Sequence, residues 1–239
     1  MTLSPETDHT SRVQAMFARI SRHYNLMNTL ISLGRDQTWR RHVVSMAALP
    51  RGGRLLDLGT GTGDIALEAL RQEPTLEVTA VDVTPTMMHV GRRRRGGHGV
   101  RWCCGDALHL PFPDATFEAV TSGYLVRNVF DVRRAFREQL RVVKPGGRVV
   151  CLDTSPPPPH VLRPLVLVYL KVLIPLLGYL VARDIQAYTY LPDSTKAFLT
   201  PARLISVMES AGFQNVRHRQ FMLGTQVACV GVRPEEQGT

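Results

Sequence analysis

The stretch Leu55-Leu56-Asp57-Leu58-Gly59-Thr60-Gly61-Thr62-Gly63-Asp64 decides how the rest of this chain is read. An apolar run ends in a carboxylate and passes through a turn with glycine at every second position. It then opens the helical pattern Ile65 to Leu70. Strand, glycine turn and helix in that order let backbone approach a ligand closely beside a helix N-terminus, where amides lack partners.

Outward from that turn the pattern alternates. It predicts strands at 54–58, 77–82, 100–104, 117–122 and 147–152, and helices at 63–72, 85–95 and 131–143. Short apolar strands alternating with helices predict an α/β fold with a doubly wound parallel sheet covered on both faces. Lys144-Pro145-Gly146-Gly147 predicts a helix stop and a turn before the fifth strand. After a helix near 201–211, Phe213 to Phe221 and Gly224 to Val232 predict a closing antiparallel pair. Residues 1–10, polar and acidic, read as a disordered tail and not as a secretory signal. The remainder, 11–239, reads as a single domain. Its first part, 11–49, is a helical prefix with Val13, Met16, Phe17 and Ile20 at helical spacing.

Composition is that of a globular protein with a core: 44% hydrophobic and 21% charged residues. The net charge of +9 is carried by arginine, since Lys144, Lys171 and Lys196 are the only lysines. Arg92-Arg93-Arg94-Arg95 would complement the negative end of the second helix as a solvated run. Interleaved aromatics are absent, which argues against nucleic acid. Cys103, Cys104, Cys151 and Cys229 have neither zinc-site nor redox-pair spacing, so a cytoplasmic setting and no metal are expected.

Three carboxylates mark the ends of successive predicted strands: Asp57, Asp82 and, in Cys104-Gly105-Asp106-Ala107, Asp106. Ligands of open α/β sheets bind outside those ends. Asp82, 25 residues beyond Asp57 (82 minus 57), is placed to accept from ribose hydroxyls. The turn is Gly-x-Gly-x-Gly and not the Gly-x-Gly-x-x-Gly of a dinucleotide loop, and no Gly-Lys-Ser/Thr follows it. A nucleoside bearing an amino-acid carboxylate fits better than a phosphate, with backbone at Gly59 to Gly63 on the carboxylate and Asp57 on the amino group. That describes S-adenosylmethionine.

The turn, Leu110-Pro111-Phe112-Pro113-Asp114 and Lys144-Pro145-Gly146-Gly147 resemble the motifs of class I methyltransferases. Finer matches narrow the resemblance. Met16-Phe17, Tyr24-Asn25-Leu26-Met27-Asn28, Trp39-Arg40, Arg127-Asn128-Val129 and Tyr188-Thr189-Tyr190-Leu191-Pro192-Asp193-Ser194 resemble the ubiquinone/menaquinone biosynthesis C-methyltransferases. The resemblance runs from about Val13 to the end. It implies a Rossmann-like seven-stranded sheet, mostly parallel with an antiparallel strand near its end. It also implies S-adenosylmethionine as cofactor and a prenylated quinol as acceptor, demethylmenaquinol first among them. The implied cofactor contacts are Tyr24, Asp57, Gly59, Gly61, Thr62, Gly63, Asp82, Val83, Asp106, Ala107 and Gly123.

The chain departs from the family where Tyr124-Leu125-Val126 replaces Phe-Gly-Leu, where Asn25 replaces Asp, and where Asp153-Thr154-Ser155 replaces Glu-Phe-Ser. Those changes are expected to alter the acceptor pocket and to leave the cofactor site alone. Another small aromatic acceptor, and a binding subunit without activity, are the alternative readings.

Methyl transfer is an in-line displacement that asks mainly for positioning. Arg127, always cationic, is the candidate for holding a phenolate oxygen, and Asn128 for orienting the ring. His23, His89 and His109, scattered singly, are expected on the surface.

Four prolines, 156 to 159, open the stretch 156–200 and lead into the apolar run Val161 to Ala182. The run is long enough to tempt a membrane-spanning reading. Lys171 near its middle would cost about 2.5–3.5 kcal/mol, and Pro164, Pro175 and Gly178 interrupt it. The expectation is a broken helical lid over the acceptor site, its apolar surface open to a prenyl tail or to the cytoplasmic membrane face. A homodimer stays open.

Overall fold

Strand β1 (Arg54–Leu58) is buried from Leu55 onward, so both of its faces need cover. The computed structural model describes residues 4–235 and supplies that cover with helices on either side. The other strands are β2 (Glu77–Asp82), β3 (Val100–Cys104), β4 (Phe117–Gly123), β5 (Val143–Thr154), β6 (Gln214–Phe221) and β7 (Gln226–Val232). Their order across the sheet is β3-β2-β1-β4-β5-β7-β6. β7 runs antiparallel to β5 and β6, and the pairs among β1 to β5 are parallel. The order reverses between β1 and β4, which is where such sheets open a ligand crevice. Leu56, Leu58 and Val120 pack with Phe136, Leu204 and Met208 on one face. Leu55, Val78 and Ala119 pack with Val43 and Ala66 on the other.

The prefix forms three helices, α1 (Pro5–Ile20), α2 (Tyr24–Ser32) and α3 (Asp36–Ala47). The expected tail therefore differs from the structure: residues 1–3 lie outside the described residues, and α1 begins at Pro5. The local chemistry explains it. Ser4 caps the helix by accepting from the Thr7 amide at 3.2 Å, Pro5 presets the first turn, and Glu6 and Asp8 favour the positive end of the dipole.

Helices α4 (Asp64–Gln72), α5 (Pro85–Arg92) and α6 (Val132–Val142) follow the predicted positions, with α5 ending at Arg92 and not at 95. Lys144 to Gly147 is a bulge inside β5 and not a turn before it: Phe117 pairs with Val143 but Ala119 with Arg148, and Gly146 takes φ +74°.

The apolar run is one continuous helix, Arg163–Ala182, and not a broken one. Two π turns, Tyr169–Leu173 and Gly178–Ala182, absorb the irregularity. Pro175 lacks an amide and its ring would strike the carbonyl four residues earlier, at Lys171, so a widened turn there relieves the clash. Leu170, Ile174 and Gly178 face inward and Val168, Val172 and Leu176 outward. A further helix, Ile185–Ala197, carries the Tyr188 to Ser194 segment.

The Trp102 ring fits between α4 and α5 because two glycines leave it room. A Cβ at Gly63 would lie 2.5 Å from the ring, and one at Gly91 would overlap it outright. Gly91→Ala is expected to lower unfolding free energy by about 1–3 kcal/mol in urea titration. Trp102→Leu on the same background should recover part of the loss; no recovery would place the strain elsewhere.

Candidate active site

Gly59, Gly61 and Gly63 all take left-handed backbone, at φ +62°, +57° and +80°. Side chains would be strained at each, so the alternation seen in sequence is a conformational requirement. Polar groups hold the loop from every side. Thr60 Oγ1 donates to Asp57 Oδ2 at 2.6 Å, and Thr121 Oγ1 to Asp57 Oδ1 at 2.9 Å. The Gly61 amide donates to Asp82 Oδ2 at 2.7 Å, and the Thr84 amide to its other oxygen at 2.7 Å. Thr62 Oγ1 donates to Asn25 Oδ1 at 2.6 Å, which ties the prefix to the loop. Arg40 from α3 and Arg94 both pair with Asp64, at 2.9 and 2.5 Å, at the start of α4. Arg94 also donates to the Thr62 carbonyl at 2.9 Å, so it is a loop anchor and not part of a solvated run.

Over this loop lies a cleft of about 740 Å³. Tyr24, Gly59, Gly61, Asp82, Val83, Asp106, Ala107 and Gly123, all candidate cofactor contacts, line it together. Asp106 accepts from the Leu108 amide at 2.9 Å through one oxygen. Helix α1 closes the cleft with Thr10, Val13 and Phe17. Gln14 Nε2 donates to the Val83 carbonyl at 2.7 Å, and His9 Nε2 lies 3.0 Å from the Asn128 carbonyl. His9 and Thr10 fall in the stretch expected to be a tail, whereas Val13, Gln14 and Phe17 belong to the expected helical prefix.

Three expected contacts do not reach that cleft. Thr62 is fully buried on Asn25, and Gly63 packs on Trp102. Asp57 lines a smaller adjoining cavity with Tyr24, Arg40, Asp64 and Tyr124. Leu125 does line the cleft, and a Cβ on Gly59 would come within 2.8 Å of it. The departure at Leu125 therefore bears on the cofactor side, contrary to expectation.

A second cavity, of about 1560 Å³, opens between the prefix, the lid helix and the ends of β5 and β7. Phe17, Tyr24 and Tyr124 line both it and the first cleft. The remaining wall is mostly apolar, with Ile20, Leu170 and Ile174 among its residues. Leu33, Leu162, Leu165 and Leu223 at its edge are exposed.

Arg127 lines this second cavity, and Nη1 pairs with Asp153 Oδ1 at 2.5 Å. Both side chains are buried, and the Arg127 amide also donates to Asp153 at 3.1 Å. Its guanidinium sits 5.1 Å from the Tyr124 ring centroid, and Nε has no hydrogen-bond partner among the described residues. A buried ion pair thus forms part of the cavity wall. Asn128 does not reach the acceptor side. Its Nδ2 donates to the Tyr124 carbonyl at 2.7 Å and its Oδ1 accepts from Tyr190 Oη at 3.0 Å, so it braces the backbone beside the first cleft, which it lines. Tyr124 and Thr154, both in departures expected to alter the acceptor pocket, line this cavity, and Asp153 beside Thr154 anchors Arg127. His23, His89 and His109 are exposed and line neither cavity.

Burial sets the charge states. It pushes the Asp57 carboxyl up to about 6 against the bonds from Thr60 and Thr121, and it raises Asp82 as well. Tyr24 and Tyr124 are likewise raised by burial, so both stay neutral at pH 7. A carboxyl whose folded value exceeds its unfolded one binds protons more tightly when folded. Its contribution therefore falls as pH rises from about 4 to about 6 and stays low above that. Asp57→Asn should flatten that slope and raise stability at pH 7 by about 1–3 kcal/mol without bound ligand. Urea titrations between pH 4 and 8 check this; an unchanged slope would assign the titration to another group.

Comparison with known proteins bears on this geometry. The ubiE/COQ5 methyltransferase family profile matches residues 6–233. The ubiquinone/menaquinone biosynthesis C-methyltransferase UbiE of Desulfotalea psychrophila is 47% identical over 89% of this chain and 87% of its own. The demethylmenaquinone methyltransferase of Thermus thermophilus is 42% identical over 92% of this chain and 100% of its own. Among solved structures, a SAM-dependent methyltransferase of Thermotoga maritima superposes with TM-score 0.64 at 19% identity, covering 92% of this chain and 99% of that one. The [4+2]-cyclase SpnF superposes with TM-score 0.70 at 18% identity, covering 95% and 97%, so the fold alone does not fix the chemistry. Sequence match and loop geometry together place the chain in the ubiE/COQ5 methyltransferase family.

Proposed function

We propose that this methyltransferase acts from S-adenosylmethionine on a ring carbon of a demethylated prenyl quinol, demethylmenaquinol. The observation that carries the reading is the meeting of two unlike cavities, one edged with carboxylates and one apolar, at Phe17, Tyr24 and Tyr124. The names of its relatives from Desulfotalea and Thermus point the same way.

The residues fit the cofactor. Asp82 keeps lone pairs beyond its two backbone bonds and would accept from the ribose hydroxyls, with Asp106 beside the base. Asp57, raised by burial, is the natural neighbour of an ammonium, whose charge would draw it back toward the ionised form. When bound, the cofactor supplies a methyl carbon on a sulfonium for in-line attack. Tyr24 and Tyr124 wall the junction and, being neutral, put no competing charge there. Arg127, held by Asp153, keeps its cationic face toward the acceptor cavity and would stabilise a quinol oxygen as it ionises, making the adjacent ring carbon electron-rich. Asp153 is fully buried and accepts from Arg127 and from the Thr154 amide at 2.8 Å, so its role is to hold the guanidinium.

The isoprenoid tail would leave by the exposed leucines at the cavity edge. The lid helix has mean hydropathy 2.3, and 22% of its most apolar window is buried. Leu26 and Leu30 of α2, and Leu33 just past its end, are exposed too. Such apolar surface beside the cavity supports peripheral contact with the cytoplasmic membrane face. Flotation with vesicles should carry the protein upward, and Leu165→Glu with Val172→Glu should abolish it while leaving the fold intact. A wild type that does not float would overturn the lipid contact, and equal flotation of both would take the contact away from the lid helix.

The acceptor is tested by incubating the protein with radiolabelled S-adenosylmethionine, chemically reduced demethylmenaquinol and a panel of soluble phenols. Label in the quinol is the expected result; label in the phenols alone would overturn the assignment. Arg127→Lys should lower turnover about 100-fold or more with little change in cofactor affinity, since an ammonium cannot reproduce the forked geometry.

A further inference from the structure

The acceptor cavity holds a polar atom that nothing so far uses. Tyr188, on the helix Ile185–Ala197, is 5% exposed and lines the cavity, yet its hydroxyl has no hydrogen-bond partner among the described residues. A buried hydroxyl without a partner costs about 1–3 kcal/mol, so a position that keeps one asks for a ligand that satisfies it. The ring is seated with care. Gly178 of the lid helix lies flush against it, and a Cβ there would come within 2.5 Å of three Tyr188 atoms. Tyr188 packs in one apolar cluster with Ile20, Met27 and Ile174, and Tyr24 packs against that cluster. It therefore belongs to the wall built by prefix and lid, whereas Arg127 lies on the short helical turn Val126–Asn128 after β4, paired with Asp153 of β5.

A hydroquinone carries two oxygens at opposite ends of one ring, and a single donor cannot serve both. We infer that Tyr188 is a specificity-determining residue that donates through its hydroxyl to the second quinol oxygen, the one remote from Arg127. The inference rests on the quinol reading above and deepens it: the acceptor is selected as a two-oxygen ring and not merely as an apolar phenol. A site built to bond a hydroxyl rejects analogues without it, because its own polar group is then stranded. Tyr188 bonds the ring end that does not react, so it positions substrate and leaves the attacking end to Arg127.

The test compares wild type with Tyr188→Phe on two acceptors of equal tail length, the reduced demethylated quinol and its monohydroxy naphthol counterpart. For the variant, KM for the quinol should rise roughly tenfold, the factor that about 1.4 kcal/mol of lost hydrogen bonding gives, with kcat within threefold. The preference of wild type for the quinol over the naphthol should vanish. Calorimetry should show the same loss in binding of the methylated quinol product, with S-adenosylhomocysteine affinity unchanged. Thermal stability should hold or increase, since the substitution removes a stranded hydroxyl; a fall in Tm with unchanged KM would make Tyr188 structural and overturn the inference. Gly178→Ala, which pushes on the ring without deleting the hydroxyl, should also raise KM for the quinol more than for the naphthol. An active wild type with an unaltered Tyr188→Phe variant sinks this inference alone. A wild type that neither binds nor methylates quinol sinks the substrate reading and this inference with it.

Discussion

Everything in this molecule depends on holding three alternate glycines in left-handed backbone at the tip of β1. The conformation is open to glycine, but glycine alone does not hold it, because the same freedom makes the loop floppy when unfolded. What holds it is a ring of charge and hydroxyl contacts drawn from distant parts of the chain. Asp57 and Thr60 brace it from within, Asp82 from β2, Asn25 from the prefix, and Arg40 and Arg94 through Asp64. The prefix is thus part of the loop's support as well as the roof of the cleft. Removing one partner from such a buried network strands the other, which costs more than the bond was worth.

The same contacts divide the space above the sheet. Helix α1 closes the first cleft, while the lid helix and the helix Ile185–Ala197 shape the second cavity. Tyr24 and Tyr124 stand where the two meet. Tyr124 itself takes φ +58°, a costly conformation for a bulky residue, and its amide donates to the Leu152 carbonyl at 2.7 Å. Strain at the junction of two ligand spaces is consistent with backbone placed for function. Next to it, the Arg127 guanidinium is paired with Asp153 in an apolar wall, while Nε has no partner among the described residues.

Much of this was legible in the sequence, for identifiable reasons. Strands β1 to β4 and their helices announced themselves by apolar runs and glycine punctuation, which are local signals. Asp82, Asp106, Gly59 and Gly61 were legible because strand-end positions follow from topology. Thr62 and Gly63 were drawn into the site by proximity in sequence, although their side-chain positions point into packing with Asn25 and Trp102. Asn128 misled similarly: its amide is committed to Tyr124 and Tyr190, and that partnership spans 62 residues in the second case. Arg94 read as solvent-exposed because its partners, Thr62 and Asp64, lie about one crossover away. The helix at Pro5 was a plain misreading, since Ser4, Pro5 and Glu6 carry an N-terminal signature.

On the proposed function, donor and acceptor occupy two joined cavities whose seam is Tyr24 and Tyr124. A crystal structure with S-adenosylhomocysteine and the methylated quinol product tests it most directly. The account predicts the nucleoside on Asp82 and Asp106, the quinol ring against Tyr124 and Arg127, and sulfur and methylated carbon within the roughly 3–3.5 Å reach of a near-attack geometry plus the length of the transferred carbon. A quinol ring bound outside the second cavity, or a nucleoside away from the glycine loop, would contradict it.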